Sequence, residues 1–218
     1  MRRRAFVSLG TAAAAPLPWA GIVRAAAAPV PLQQWQALVE QAAQADGLAR
    51  IELVNAVLNR WLVEWDDSAR LDWPTPREVM ARGGGDCRAF AILKFFTLLA
   101  AHHPARDTRV LYAIRQRRST PGLQQPHLVA WARAGGEEPR VLDSLNPFAL
   151  RLSQRRDLKP LFSVDLEHLR RGADEAIDRP ASDLRPWREM LERRAREPAQ
   201  SLVDTSSTRP LRGLSSQR

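Results

Sequence analysis

The chain has 218 residues, 44% hydrophobic and 26% charged, which suits one globular domain with a sizeable core plus flanking segments. Its formal net charge of +9 is almost wholly arginine, since lysine occurs only at Lys94 and Lys159. Seven of those arginines lie in the first 24 or the last ten residues, so the central part is near balance. This excludes the basic, aromatic-laced face that nucleic-acid binding requires.

Residues 1–28 read as an export signal. Arg3-Arg4-Ala5-Phe6-Val7 is a twin-arginine pair ahead of an alanine-rich apolar stretch, and Ala25–Ala28 offer A-x-A frames for cleavage near Ala27 or Ala28. Pro16 and Pro18 interrupt the apolar run, which is short for a membrane span. The expected location is the periplasm, with an uncleaved N-terminal anchor as the alternative. Cys87 is the only cysteine, so no intramolecular disulfide can form. A leftover thiol in an exported protein favours a working role over a structural one.

The domain is expected over residues 29–197. Leu32 to Ala43 carries apolar residues at helical spacing, and Leu48, Ile51, Val54, Leu58, Leu62 and Trp65 continue at steps of three and four. Asn55 and Asn59 fall one turn apart on that second helix, where amides bonding to a nearby loop are expected. Asp66, Asp67 and Asp72 belong to a surface loop. Pro76 can start a short helix that ends at Gly83-Gly84-Gly85, glycines that allow a tight turn and close approach to a substrate. Asp86 is a good N-cap, so the next helix is expected to begin at Cys87. A thiol there meets the positive end of the helix dipole and unpaired backbone N–H groups, and both favour thiolate. The bland alternative is a small buried hydrophobe. Phe90, Ile92, Leu93, Phe95, Phe96, Leu98 and Leu99 make the helix apolar on nearly all sides, hence buried.

His102-His103-Pro104 marks the helix stop, with both histidines suited to the negative end of the dipole. Strands are expected at 109–114, 127–131 and 141–143, with a loop at 121–126 and a turn at 134–138. His127 then opens one hairpin arm and Asp143 closes the other, placing the two ends side by side. A further strand at 160–164 and a helix at 184–194 follow. From Pro198 the polar tail has little to bury and is expected to be disordered.

Cysteine chemistry needs a thiolate, an imidazole that moves protons, and a group that fixes the imidazole's tautomer. Cys87, His127 and Asp143 supply these types, with the Cys87 N–H as one oxyanion donor and the Trp73 indole as a weak candidate for a second. No H-x-x-x-H pair supports a metal hydrolase and no G-x-S-x-G elbow supports a serine hydrolase.

Across residues 54–169 the motifs VNAVLNR with a following DD, WPTPREVMARGGGDCRAFAILKFF, HLVAW, VLDSL and RRDLKPLFSVDLEHL occur in sequence. This series resembles the bacterial transglutaminase-like cysteine proteinases of the LapG type. The resemblance implies an α+β, papain-like or transglutaminase-like core, with a cysteine-bearing helix packed on an antiparallel sheet. It also implies Cys87 as nucleophile, His127 as acid/base and Asp143 as its orienter. Proteases of this type are periplasmic and cut a large surface adhesin near its N-terminus to release a biofilm. They are held inactive by the periplasmic domain of an inner-membrane cyclic di-GMP receptor. The family pattern GDCED, associated with calcium, is here GDCRA. Arg88 in place of a carboxylate opposes a cation, so weak or absent calcium binding and no other cofactor are expected. The same triad fits acyl transfer to an amine or hydrolysis of a small amide, and the Arg88 change leaves a catalytically inactive, partner-binding module as a third reading.

Overall fold

The computed structural model describes residues 27–198, except Ser68, residues 117–121 and Glu175. The proposed export signal lies outside the described residues apart from Ala27 and Ala28, and so does the tail beyond Pro198. Two helices open the described chain, α1 (Leu32–Gln44) and α2 (Gly47–Trp61), the second capped by Asp46. A two-residue strand β1 (Val63–Glu64) follows, then α3 (Pro76–Arg82), β2 (Gly84–Gly85) and α4 (Cys87–Ala100). The antiparallel strands β3 (Thr108–Gln116), β4 (Gln124–Ala132), β5 (Arg140–Leu142), β6 (Leu150–Arg151), β7 (Leu158–Val164), β8 (His168–Arg171) and β9 (Ile177–Pro180) come next, and α5 (Arg185–Ala195) closes the domain. They form one seven-stranded sheet in the order β6-β5-β4-β3-β7-β8-β9.

The α4 helix lies at the centre. Every residue from Ala89 to Ala100 is buried. Phe90 and Leu93 join the core made with α1 and α2, whereas Ile92, Phe95 and Phe96 pack with Val110, Leu128 and Trp187. The other sheet face carries a separate cluster that includes Leu111, Val129, Trp131 and Val141. This is the α+β arrangement the motifs imply, a helix mounted on an antiparallel sheet.

The second helix ends at Trp61, four residues before the apolar period does. Leu62 and Trp65 keep the spacing, but the chain between them pairs in parallel with β2, and that pairing overrides the helical pattern. The glycine run serves the same contact. Gly83 ends α3 in the left-handed conformation at φ 69°, and a Cβ there would lie 2.0 Å from the Ala28 carbonyl oxygen. At Gly84, φ 154°, a Cβ would lie 2.0 Å from the Val63 carbonyl oxygen. At these two positions the chain's close approach is to its own backbone, not to a substrate.

The histidines after α4 also differ from expectation. Both lie beyond the helix: His102 takes a left-handed φ of 60°, and His103 is buried with Nε2 3.0 Å from the Arg133 carbonyl. Burial depresses the His103 pKa, so it is a neutral, bonded histidine rather than a cation on the dipole. β4 begins at Gln124, three residues before His127, because Pro126 tolerates a place in the ladder opposite Ile114.

Candidate active site

Cys87 is the first residue of α4. Asp86 caps the helix, its Oδ1 accepting from the Arg88 N–H at 3.0 Å, so the sulfur stands where the dipole is positive. The cysteine is half-buried against the cluster formed by Ile92, Phe95 and Trp187. Trp73 lies in that cluster too, its ring edge-on to Trp187 with centroids 6.0 Å apart.

His127 and Asp143 meet as the sequence suggests. The last paired residues of β4 and β5 are Ala130 and Leu142. Asp143 is the residue just past that pairing, and His127 lies three residues before Ala130 in β4. His127 Nε2 lies 2.8 Å from Asp143 Oδ1. With Nε2 taken by Asp143, Nδ1 is the ring nitrogen left to serve Cys87, whose interaction with His127 raises the imidazole pKa. The structure therefore brings all three sequence candidates together.

The electrostatics follow from burial and pairing. Burial alone would push the His127 pKa down, but its bonds to Asp143 and Cys87 outweigh that and raise it to about 9. Burial likewise pushes Asp143 up, yet the bond and charge of His127, the Arg155 charge and the Leu145 N–H hold its carboxyl well below the usual range. Asp143 is fully buried, with Arg155 Nη2 2.7 Å from Oδ2 and the Leu145 N–H 3.1 Å from Oδ1. This arrangement can keep an imidazolium beside a sulfur at neutral pH.

Sequence reasoning gave no role to Arg155 or Glu64. Arg155 is also buried and forks onto Asp157 with both contacts at 2.9 Å. Glu64, in β1, has its pKa raised by burial, with His127 opposing and Asp143 adding to the rise. The two asparagines do bond a nearby loop: Asn55 Nδ2 donates to the Asn146 and Pro147 carbonyls, and Asn59 Nδ2 to those of Asp143 and Asn146.

Arg88, next to the cysteine, is fully engaged. Its Nε donates to Asp86 Oδ2 at 2.7 Å, Nη1 to the Arg70 carbonyl at 2.6 Å and Nη2 to the Asp67 carbonyl at 2.7 Å. Asp67's own carboxylate pairs with Arg82 at 3.2 Å. The guanidinium thus ties the 67–72 loop to the start of α4.

No family model matches the sequence, and no curated protein matches it. Among solved structures, the chain is similar to Legionella pneumophila LapG in an EGTA-treated form, at 31% identity and TM-score 0.64, covering 73% of this chain and 85% of that one. A second structure of that protein matches at 31% and 0.63, covering 73% and 83%. A calcium-bound form matches at 32% and 0.63, covering 73% and 87%. A cysteine at a helix start, bonded to a histidine that an aspartate holds, and this likeness over most of both chains, lead to one assignment: the chain belongs to the LapG family of transglutaminase-like cysteine proteases.

Proposed function

We propose that this protein is a periplasmic endopeptidase in which Cys87, His127 and Asp143 form the catalytic triad. The observation that carries the reading is the chain of bonds from Asp143 to His127 to the thiol at the first position of α4. In this mechanism the Cys87 sulfur attacks the scissile carbonyl carbon, and the Cys87 N–H donates to the developing oxyanion. The His127 imidazolium gives its proton to the departing amine as the C–N bond breaks, leaving a thioester. Neutral His127 then takes a proton from water, which attacks the thioester and releases the carboxylate product and the thiol. Asp143 keeps the imidazole's Nε2–H in place through both halves.

The proposed substrate is the N-terminal region of a large surface adhesin, and the proposed inhibitor is the periplasmic domain of an inner-membrane cyclic di-GMP receptor. Membership of the LapG family supports both. Exposed apolar residues flank the site: Leu145 and Phe148 follow Asp143, and Leu71 sits in the loop that Arg88 ties down. Such side chains suit an extended polypeptide better than a small amide. No helix among the described residues is long and apolar enough to cross a membrane. Incubating the purified protein with an adhesin N-terminal segment is the direct test, with a discrete cut expected.

Calcium does not fit the residues beside Cys87. The oxygens a cation would use, on Asp86 and on the Asp67 and Arg70 carbonyls, are already taken by the Arg88 guanidinium. A fixed positive charge there repels a second one and fills the role of bridging the loop to the helix. Isothermal titration is expected to show no calcium uptake in the micromolar range, and neither EGTA nor calcium is expected to move the melting temperature. Micromolar uptake abolished by Asp86→Ala would contradict this. Because Arg88 is spent on these structural bonds, its presence does not favour an inactive module.

A further inference from the structure

Lys94 is the charged residue inside the buried run of α4, and none of its surface reaches solvent. Its Nζ donates to Asn55 Oδ1 at 2.7 Å and to Asn59 Oδ1 at 2.6 Å. Those two bonds orient both amides. With the oxygens turned to the lysine, each Nδ2 faces the turn after β5. Asn59 donates to the Asp143 carbonyl at 2.8 Å and the Asn146 carbonyl at 2.9 Å, and Asn55 to the Asn146 and Pro147 carbonyls at 3.1 Å each.

We propose that Lys94 is a positioning residue: acting through Asn55 and Asn59, it clamps the 143–147 turn and so holds the Asp143 carboxylate against His127. This rests on the triad reading given above. Without the lysine, two amide oxygens would be left facing a space with no donor. Flipping either amide to escape that would set its oxygen against backbone carbonyl oxygens and release the turn. The Phe90 ring, 5.7 Å from Nζ, covers another side of the amine. Burial lowers the Lys94 pKa to about 7, with the Asp143 and Glu64 carboxylates opposing. Ammonium and amine both carry the two hydrogens that the two amide oxygens need, so the clamp persists in either form.

The test is the titration of His127 followed by NMR on histidine-labelled protein, with a His127→Ala spectrum assigning its signal among the four histidines. Wild type is expected to titrate near 9. Lys94→Met and the milder Asn59→Ala are expected to lower that value by about half a unit or more, because a loosened Asp143 holds the imidazolium less well. Leu38→Ala, in α1, destabilises the same core without touching the clamp, and its His127 should titrate as wild type does. If Lys94→Met does not fold, Asn59→Ala decides. Unchanged titration in the folded clamp variants, with wild type near 9, overturns the clamp alone. A wild-type value near 6.5 overturns the triad reading itself, and the clamp with it.

Discussion

Cys87→Ala is expected to abolish proteolysis, by about 10⁵-fold or more, while leaving the fold intact. The sulfur is the atom that forms the bond to the substrate, and no second cysteine exists to replace it. The structural cost is small because Cys87 is only half-buried and sits at the edge of its cluster. Losing one sulfur there costs about 1 kcal/mol, a shift of a few degrees in melting temperature. Cleavage of the adhesin segment and a thermal melt, run on the same preparations, check both halves. Residual cleavage near the wild-type rate would remove Cys87 from the mechanism.

Asp143→Ala is the second large effect. It takes away the acceptor that fixes the His127 tautomer, and it leaves the buried Arg155 guanidinium with only the half-buried Asp157 as carboxylate partner. Activity is expected to fall by about 10³-fold. Asp143→Asn keeps an acceptor for the imidazole and is expected to lose only about 10–100-fold, since cysteine enzymes can work with asparagine in this place.

Stability should respond with a pH dependence of definite sign. His127 has its folded pKa raised to about 9, so its contribution is complete below its unfolded value near 6.5 and is lost as pH rises through 9. Asp143 is depressed, so its side of the same interaction is present above about 4 and fades as pH falls further. The gap in stability between wild type and Asp143→Ala should therefore be widest between about pH 4 and 6.5, at up to about 3 kcal/mol for the pair, and should narrow toward pH 10. Denaturant melts across that range measure it. A gap that widens with rising pH would contradict the assignment.

The chemistry was legible because its signals are local. An N-cap aspartate before a lone cysteine, followed by a run too apolar to face water, specifies a thiol on a buried helix. Short apolar runs at Leu128–Trp131 and Val141–Leu142 set the two strands that carry the histidine and lead to the aspartate. Where β4 and β5 stop pairing, at Ala130 and Leu142, was not legible. Strands β6 and β9 were missed for a physical reason: β6 is two residues long, and every residue of β9 is exposed, so neither presents an apolar alternation. Arg155 gave no signal, being one arginine among many. Lys94 did give one, a rare lysine in the middle of an apolar helix, and its meaning needed the two asparagines from α2 beside it.

The rate at which iodoacetamide alkylates Cys87 at pH 6, in wild type and in His127→Ala, tests the pairing of sulfur and imidazole most directly. Rapid labelling of wild type that slows by at least about tenfold without the imidazole is the predicted result. Equal, slow labelling of both proteins would mean that the thiol draws nothing from His127.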